Sequence, residues 1–357
     1  MNKTAYIGRF SKHFLKSALS FYIKSLPILG ISVFPTSVCS CCKSMAPLAD
    51  AETAGIYGKA NCRISLLSDL HEVSMLDIFI FDDDILQRLD SYQHVELVDG
   101  ASAEVASRTG YKKMFVCSNG QWTKEGWMNV NSYRSLDGIR AELSEERMQN
   151  PLMTGECDFL AHDRQTVRME LRPLSSEIVL RTLSCDFSGK GYKNEGISDM
   201  KVYLININSI CRLLQEGMIM PEGIINMGRL DENDMAAMAE PEMICRECPS
   251  MKSGDRIKTD IRLRCYPNSS VEESPGSPFT RLVIEGKIKG RTYYWPIDIG
   301  RDGRAPEGIM RNCSYIYDVK ITGKGSSDPD FAVRHEDAEI SMEVRPWKEC
   351  KDYVICF

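Results

Sequence analysis

Apolar residues recur along this chain mainly with a period of two, in short runs closed by turn residues. Leu76-Asp77-Ile78-Phe79-Ile80-Phe81 ends at Asp82-Asp83-Asp84 and predicts a buried strand closed by a turn. Lys112–Cys117, ended by Ser118-Asn119-Gly120, predicts another. Val167, Met169 and Leu171 alternate with Arg168, Glu170 and Arg172, which puts one face in a core and the other in water. Ile178-Val179-Leu180 and Val202-Tyr203-Leu204-Ile205 continue the habit. In the second half Ile261, Leu263 and Cys265 alternate with Arg262 and Arg264. Leu282–Ile288 meets Tyr293–Ile297 across Lys289-Gly290-Arg291 as a hairpin with a glycine turn. Tyr315–Ile321, Glu339–Val344 and Tyr353–Phe357 complete the strand-like runs.

Helical spacing is rare. Ser135 as a cap, with Leu136, Ile139 and Leu143 on one side, predicts a helix that stops before Pro151. Asp231–Glu240 reads as a second. Short strands, frequent turns and few helices predict an all-β chain of β-sandwiches. The expected boundary follows the Leu204 strand and gives domains at 41–212 and 213–357. Gly217–Gly254 reads as a long insertion and Asn268–Pro278 as a mobile loop.

The N-terminus is organised differently. Lys3, Arg9, Lys12, Lys16 and Lys24 precede any acidic residue, and the apolar run Leu26–Val38 follows. That run is 13 residues long, short of the ~20 a spanning helix needs. It suits the apolar region of an export signal. Val38-Cys39-Ser40-Cys41 is an aliphatic residue, two small ones and Cys, the pattern of a bacterial lipoprotein signal. Residues 1–40 are therefore expected to be a signal peptide, with lipid on Cys41. Cleavage by an ordinary signal peptidase and retention as an anchor are the alternatives.

Losing residues 1–40 would take the net charge from −6 to −11. Such an acidic body argues against nucleic acid as a partner, because phosphate binding needs clustered Lys and Arg. The sequence holds 14 Cys in no compact framework. Cys245-x-x-Cys248 is the one close pair of zinc-ligand type, with Cys265 and His335 as weak further ligands, and no metal site is expected. The histidines fall in no His-Glu-x-x-His pattern, Gly-x-Ser-x-Gly is absent, and the adjacent pairs Glu145-Glu146 and Glu272-Glu273 do not suit two-carboxylate chemistry. Neither a catalytic residue nor a cofactor is expected.

Several segments, taken in order, resemble the fimbrillin (type V pilin) family. They are Leu76–Asp82 (LDIFIFD), Pro151–Glu156 (PLMTGE), Val202–Asn206 (VYLIN), Tyr293–Ile297 (YYWPI), Arg311–Tyr315 (RNCSY), Gly323–Asp330 (GKGSSDPD) and Val344-Arg345-Pro346-Trp347 ahead of a last strand. The resemblance implies two transthyretin-like β-sandwich domains in tandem with a few short helices, and no catalysis. It implies a structural subunit of a cell-surface pilus that contributes to adhesion. The precursor would reach the outer membrane as a lipoprotein, be cut by an arginine-specific protease, and assemble with other pilin subunits by strand exchange. Arg63 is the matching processing residue. Tyr353, Ile355 and Phe357 would be the donor-strand residues. Family shaft subunits are Cys-poor and this chain is not, so shaft, tip and anchor stay open. The alternative is a monomeric outer-membrane surface lipoprotein that binds glycans or proteins through sandwich loops, with Tyr293, Tyr294 and Trp295 as a candidate sugar platform.

Overall fold

The structure is a computed structural model and describes residues 59–65, 73–96, 103–162, 166–301, 303, 307–347 and 352–356. Eight main strands come first: β1 (Lys59–Ser65), β2 (Met75–Asp82), β3 (Leu89–Glu96), β4 (Ala103–Arg108), β5 (Gly110–Ser118), β6 (Met153–Ala161), β7 (Thr166–Glu170) and β8 (Arg172–Pro173). Nine follow: β9 (Ser176–Cys185), β10 (Gly196–Ile205), β11 (Cys245–Cys248), β12 (Arg256–Cys265), β13 (Arg281–Ile288), β14 (Arg291–Asp298), β15 (Cys313–Ile321), β16 (Ala338–Pro346) and β17 (Asp352–Cys356).

Hydrogen bonding sorts them into two pairs of sheets. The first pair has orders β4-β1-β17-β7 and β3-β2-β5-β6-β8. Between them lie Ile78 and Ile80 of β2, Met114 and Val116 of β5, Phe159 of β6, Val105 of β4, and Val167 and Met169 of β7. The second pair has orders β12-β9-β15-β16 and β11-β10-β13-β14. Leu180, Leu183, Val202, Leu204, Leu263, Ile284, Trp295 and Tyr317 fill its core. β9 and β15 run parallel, from Glu177↔Ser314 to Cys185↔Ile321. The architecture is all-β, as the alternating pattern predicts.

The near-continuous apolar run of β2 has a physical reason. Its even-numbered residues Ile78 and Ile80 face the first core, and Phe79 and Phe81 belong to the cluster that continues into the second sandwich. A strand covered on both sides has no polar row to show.

β9 pairs with β12 and β15, and β10 with β13, so both strands join sheets completed by strands after residue 213. Two expectations need correction. The predicted helix after Ser135 is instead a 3-10 turn at Tyr133–Gly138, a short strand at Arg140–Glu142 and a second 3-10 turn at Leu143–Glu145. Arg140–Glu142 pairs with Ile210–Arg212, so Leu136 and Leu143 are buried from separate turns. Asn268–Pro278 is tied down. Asn268 donates through Nδ2 to the Pro278 carbonyl at 2.9 Å and accepts from Ser270 Oγ at 2.7 Å. Asp231 does cap a helix, at Glu232–Ala237, by accepting from the Asn233 and Asp234 amides.

Charged side chains join the sandwiches. Arg311, ahead of β15, donates to the Pro173 carbonyl (3.0 Å), Thr154 Oγ1 (2.7 Å) and the Arg172 carbonyl (2.8 Å). Arg264 of β12 reaches the Arg147 carbonyl at 2.8 Å and stacks on Trp347 at 4.5 Å. Buried Glu146 accepts from Ser175 Oγ at 3.1 Å.

Candidate functional site

β1 and β17 come from opposite ends of the described chain and lie side by side in the middle of one sheet. β1 pairs with β4 from Lys59↔Arg108 to Ile64↔Ala103. Its other edge pairs with β17 through Arg63↔Cys356, Ile64↔Ile355 and Ser65↔Val354. β17 in turn pairs with β7 from Asp352↔Glu170 to Cys356↔Thr166. The Tyr-Val-Ile run of β17 is aromatic and β-branched, the composition that favours a pleated, half-covered backbone. Both strands are interior, with backbone groups used on each side.

Opposed residues of an antiparallel pair share a face. Cys62 is opposed to Val105, which is buried, whereas Asn61 is opposed to the exposed Ala106. Arg63 is opposed to Glu104 of β4. Ile355 and Tyr353 are opposed to Val167 and Met169, both buried in the first core. Of the residues singled out in the sequence, Arg63, Tyr353 and Ile355 are thus brought to one sheet. Cys41 and Phe357 lie outside the described residues.

The walls of this seam are held independently of it. β4 has β1 as its sheet neighbour, yet its end is fastened to the facing sheet. Asp90 of β3 accepts from the Arg108 amide (2.9 Å), from Ser107 Oγ (3.0 Å) and from the Arg108 guanidinium. Lys112 of β5, with a side chain 1% exposed, reaches Asp90 Oδ2 at 2.9 Å and also meets Asp82. Arg108 Nη2 adds a bond to Asp82 at 2.9 Å. Burial pushes the Asp90 carboxyl up, but hydrogen bonds from Lys112 and Arg108 outweigh it and hold the group below its usual range. The signal for this cluster was present: Lys112 shares a strand face with Met114 and Val116, and a cation in a core-facing row needs a buried carboxylate. On the other side, Val167 and Met169 anchor β7 in the core.

The remaining candidate chemistry is structural. Trp295 is fully buried and donates to the Gly323 carbonyl at 3.1 Å, so it offers no open platform for sugars. Cys245 and Cys248 sit on β11, and burial pushes both thiols up to about 11. Asp84 closes the β2–β3 turn by accepting from the Leu86 and Gln87 amides.

The fold defines the class of protein. No family model matches the chain, and no curated protein matches it by sequence. Solved structures do. A candidate cell adhesion protein of Parabacteroides distasonis superposes with a TM-score of 0.60 at 14% identity, over 82% of this chain and 100% of that one. A candidate cell adhesion protein of Bacteroides eggerthii gives 0.59 at 14% identity, over 82% and 96%. The fimbrilin FimA of Porphyromonas gingivalis gives 0.58 at 13% identity, over 81% and 97%. The fold is fimbrillin-like along most of the chain's length.

Proposed function

We propose that this chain is a structural subunit of a cell-surface pilus that contributes to adhesion. In this reading residues 1–40 direct export, Cys41 carries the lipid that holds the precursor at the outer membrane, and hydrolysis after Arg63 releases it. Subunits then join by exchange of β17, whose Tyr353, Ile355 and Phe357 enter a neighbour's sheet. The body comprises two sandwich domains in tandem and does no catalysis.

The observation that carries this reading is the central pairing of β1 with β17 in the order β4-β1-β17-β7. Loss of β1 would leave a slot one strand wide between β4 and β17, floored by Ile78, Ile80, Met114 and Val116. Departure of β17 as well would widen it to two strands, between β4 and β7. An empty slot would present apolar floor and two unpaired backbone edges. A strand from another copy answers both needs at once, with ladder hydrogen bonds and buried side chains. An exchanged β17 makes the same contacts it makes at home, so the swap itself costs little.

The test is to incubate the purified precursor with an arginine-specific peptidase. The expected outcome is a ladder of polymers on gels and a new N-terminus at Ile64 by mass spectrometry. Deleting Tyr353–Phe357 should leave processing intact and abolish the ladder. Polymers of normal length from the deleted chain would reject the reading.

A further inference from the structure

The pairing of β17 covers only part of β1, and that part contains the proposed scissile bond. β4 runs along β1 from Lys59 to Ile64, whereas β17 contacts Arg63, Ile64 and Ser65. These are the residue before the Arg63–Ile64 bond and the two after it. Peptidases bind their substrates as extended segments, through backbone groups free to pair with the enzyme. With β4 on one edge and β17 on the other, neither edge of this segment is free. β17 is itself fastened by five register pairs to β7. The segment can be bound only when the sheet opens locally, and cleavage then follows the population of the open form.

We propose that β17 is a latch on the processing site: it shields the Arg63–Ile64 bond while it is home, and its release exposes that bond. The inference rests on the reading of Arg63 as the processing residue and concerns its regulation. With β17 withdrawn, β1 becomes an edge strand on the side of Arg63, and an edge is what a peptidase can pair with. Water then adds across the Arg63–Ile64 bond, giving a carboxylate at Arg63 and an amine at Ile64. Cleavage of the precursor is thereby slowed rather than prevented: the three residue pairs between β1 and β17 must open before the bond can be bound.

The experiment measures the rate at which the Ile64 N-terminus appears when the full chain meets an arginine-specific peptidase. Three chains are compared: the full chain, a chain deleted for residues 348–357, and the full chain carrying Ser65→Cys with Val354→Cys. Ser65 and Val354 are opposed in the register, so the double variant can staple β17 to β1. The expected result is cleavage of the deleted chain at least about tenfold faster than that of the full chain. The oxidised double variant should resist, and reductant should restore its cleavage. Circular dichroism of each chain separates loss of the latch from loss of the fold, and the stapled variant tests the latch without removing any strand. Equal rates for full and deleted chains, or cleavage of the oxidised variant at the full chain's rate, overturn the latch and leave the processing reading standing. Absence of cleavage at Arg63 even in the deleted chain, with other arginines cut, overturns both.

Discussion

Glu146 makes the junction between the sandwiches sensitive to pH. Its carboxyl is 2% exposed, and one oxygen accepts from Ser175 Oγ at 3.1 Å. The nearby Arg264 guanidinium directs its Nη atoms to the Arg147 and Met148 carbonyls rather than forming an ion pair with it. Burial dominates, offset only in part by Tyr266, by the Arg264 charge and by Ser175, and pushes the carboxyl from its ordinary 4.5 up to about 7. An acid whose folded value lies above its unfolded one favours the fold while protonated. Its contribution is complete below 4.5 and is lost as pH rises through about 7. The gap between 4.5 and about 7, at 1.36 kcal/mol per pH unit, is about 3 kcal/mol. At about 2.1 cal/mol/K of unfolding entropy per residue, that corresponds to roughly 4 °C in melting temperature for this chain. Glu146→Gln keeps the shape and the neutral state. Thermal unfolding followed at pH 4, 5, 6, 7 and 8 should show the wild type losing stability across this range relative to the variant, with the difference smallest at pH 4. A constant difference between the two chains at every pH would refute the argument, because it would mean that Glu146 does not titrate there.

Other substitutions probe the seam's wall and the turns. Lys112→Met leaves Asp82 and Asp90 facing each other with Arg108 alone, and should cost about 3–5 kcal/mol in denaturant unfolding at neutral pH. Because Asp90 is held below its usual range, its contribution is present above the ordinary carboxylate value and fades as pH falls through the lowered one, so the cost of Lys112→Met should shrink in acid. Gly290 and Gly300 both have left-handed φ, at 74° and 67°, but differ in surroundings. Gly290→Ala meets open space and should cost about 1 kcal/mol, whereas at Gly300 an added Cβ would lie 2.3 Å from the Gly308 carbonyl oxygen and should cost at least about 3 kcal/mol. Equal losses at the two glycines would show that backbone conformation alone sets the penalty.

Much of the fold was legible because its signals are local. A period of two, interrupted by turn residues, marks a strand wherever it occurs, and β2, β5, β7, β10, β12, β13 and β15 are found where that pattern placed them. The β13–β14 hairpin was legible to its turn: Ile288 opposes Arg291 around Lys289-Gly290, both at positive φ, as a two-residue turn matching strand twist requires. Leu136, Ile139 and Leu143 misled because a helix and two successive tight turns can bury the same residues. The choice was made by Ile210–Arg212, 70 residues away, which pairs with Arg140–Glu142. The partners of β9 and β10 were not legible for the same reason. The apolar character of β9 and β10 says that they are buried and does not name the strands beside them.

The seam shows where local information ends. The sequence by itself determined that the run beginning at Tyr353 is strand-like and that the body is all-β. Only the tertiary structure decided that β17 lies between β1 and β7, and that Lys112 is answered by Asp82 and Asp90. The physical reason is that backbone hydrogen bonds are the same for every residue. A strand's pattern states which face it buries, and its partner is chosen by long-range packing of the whole core.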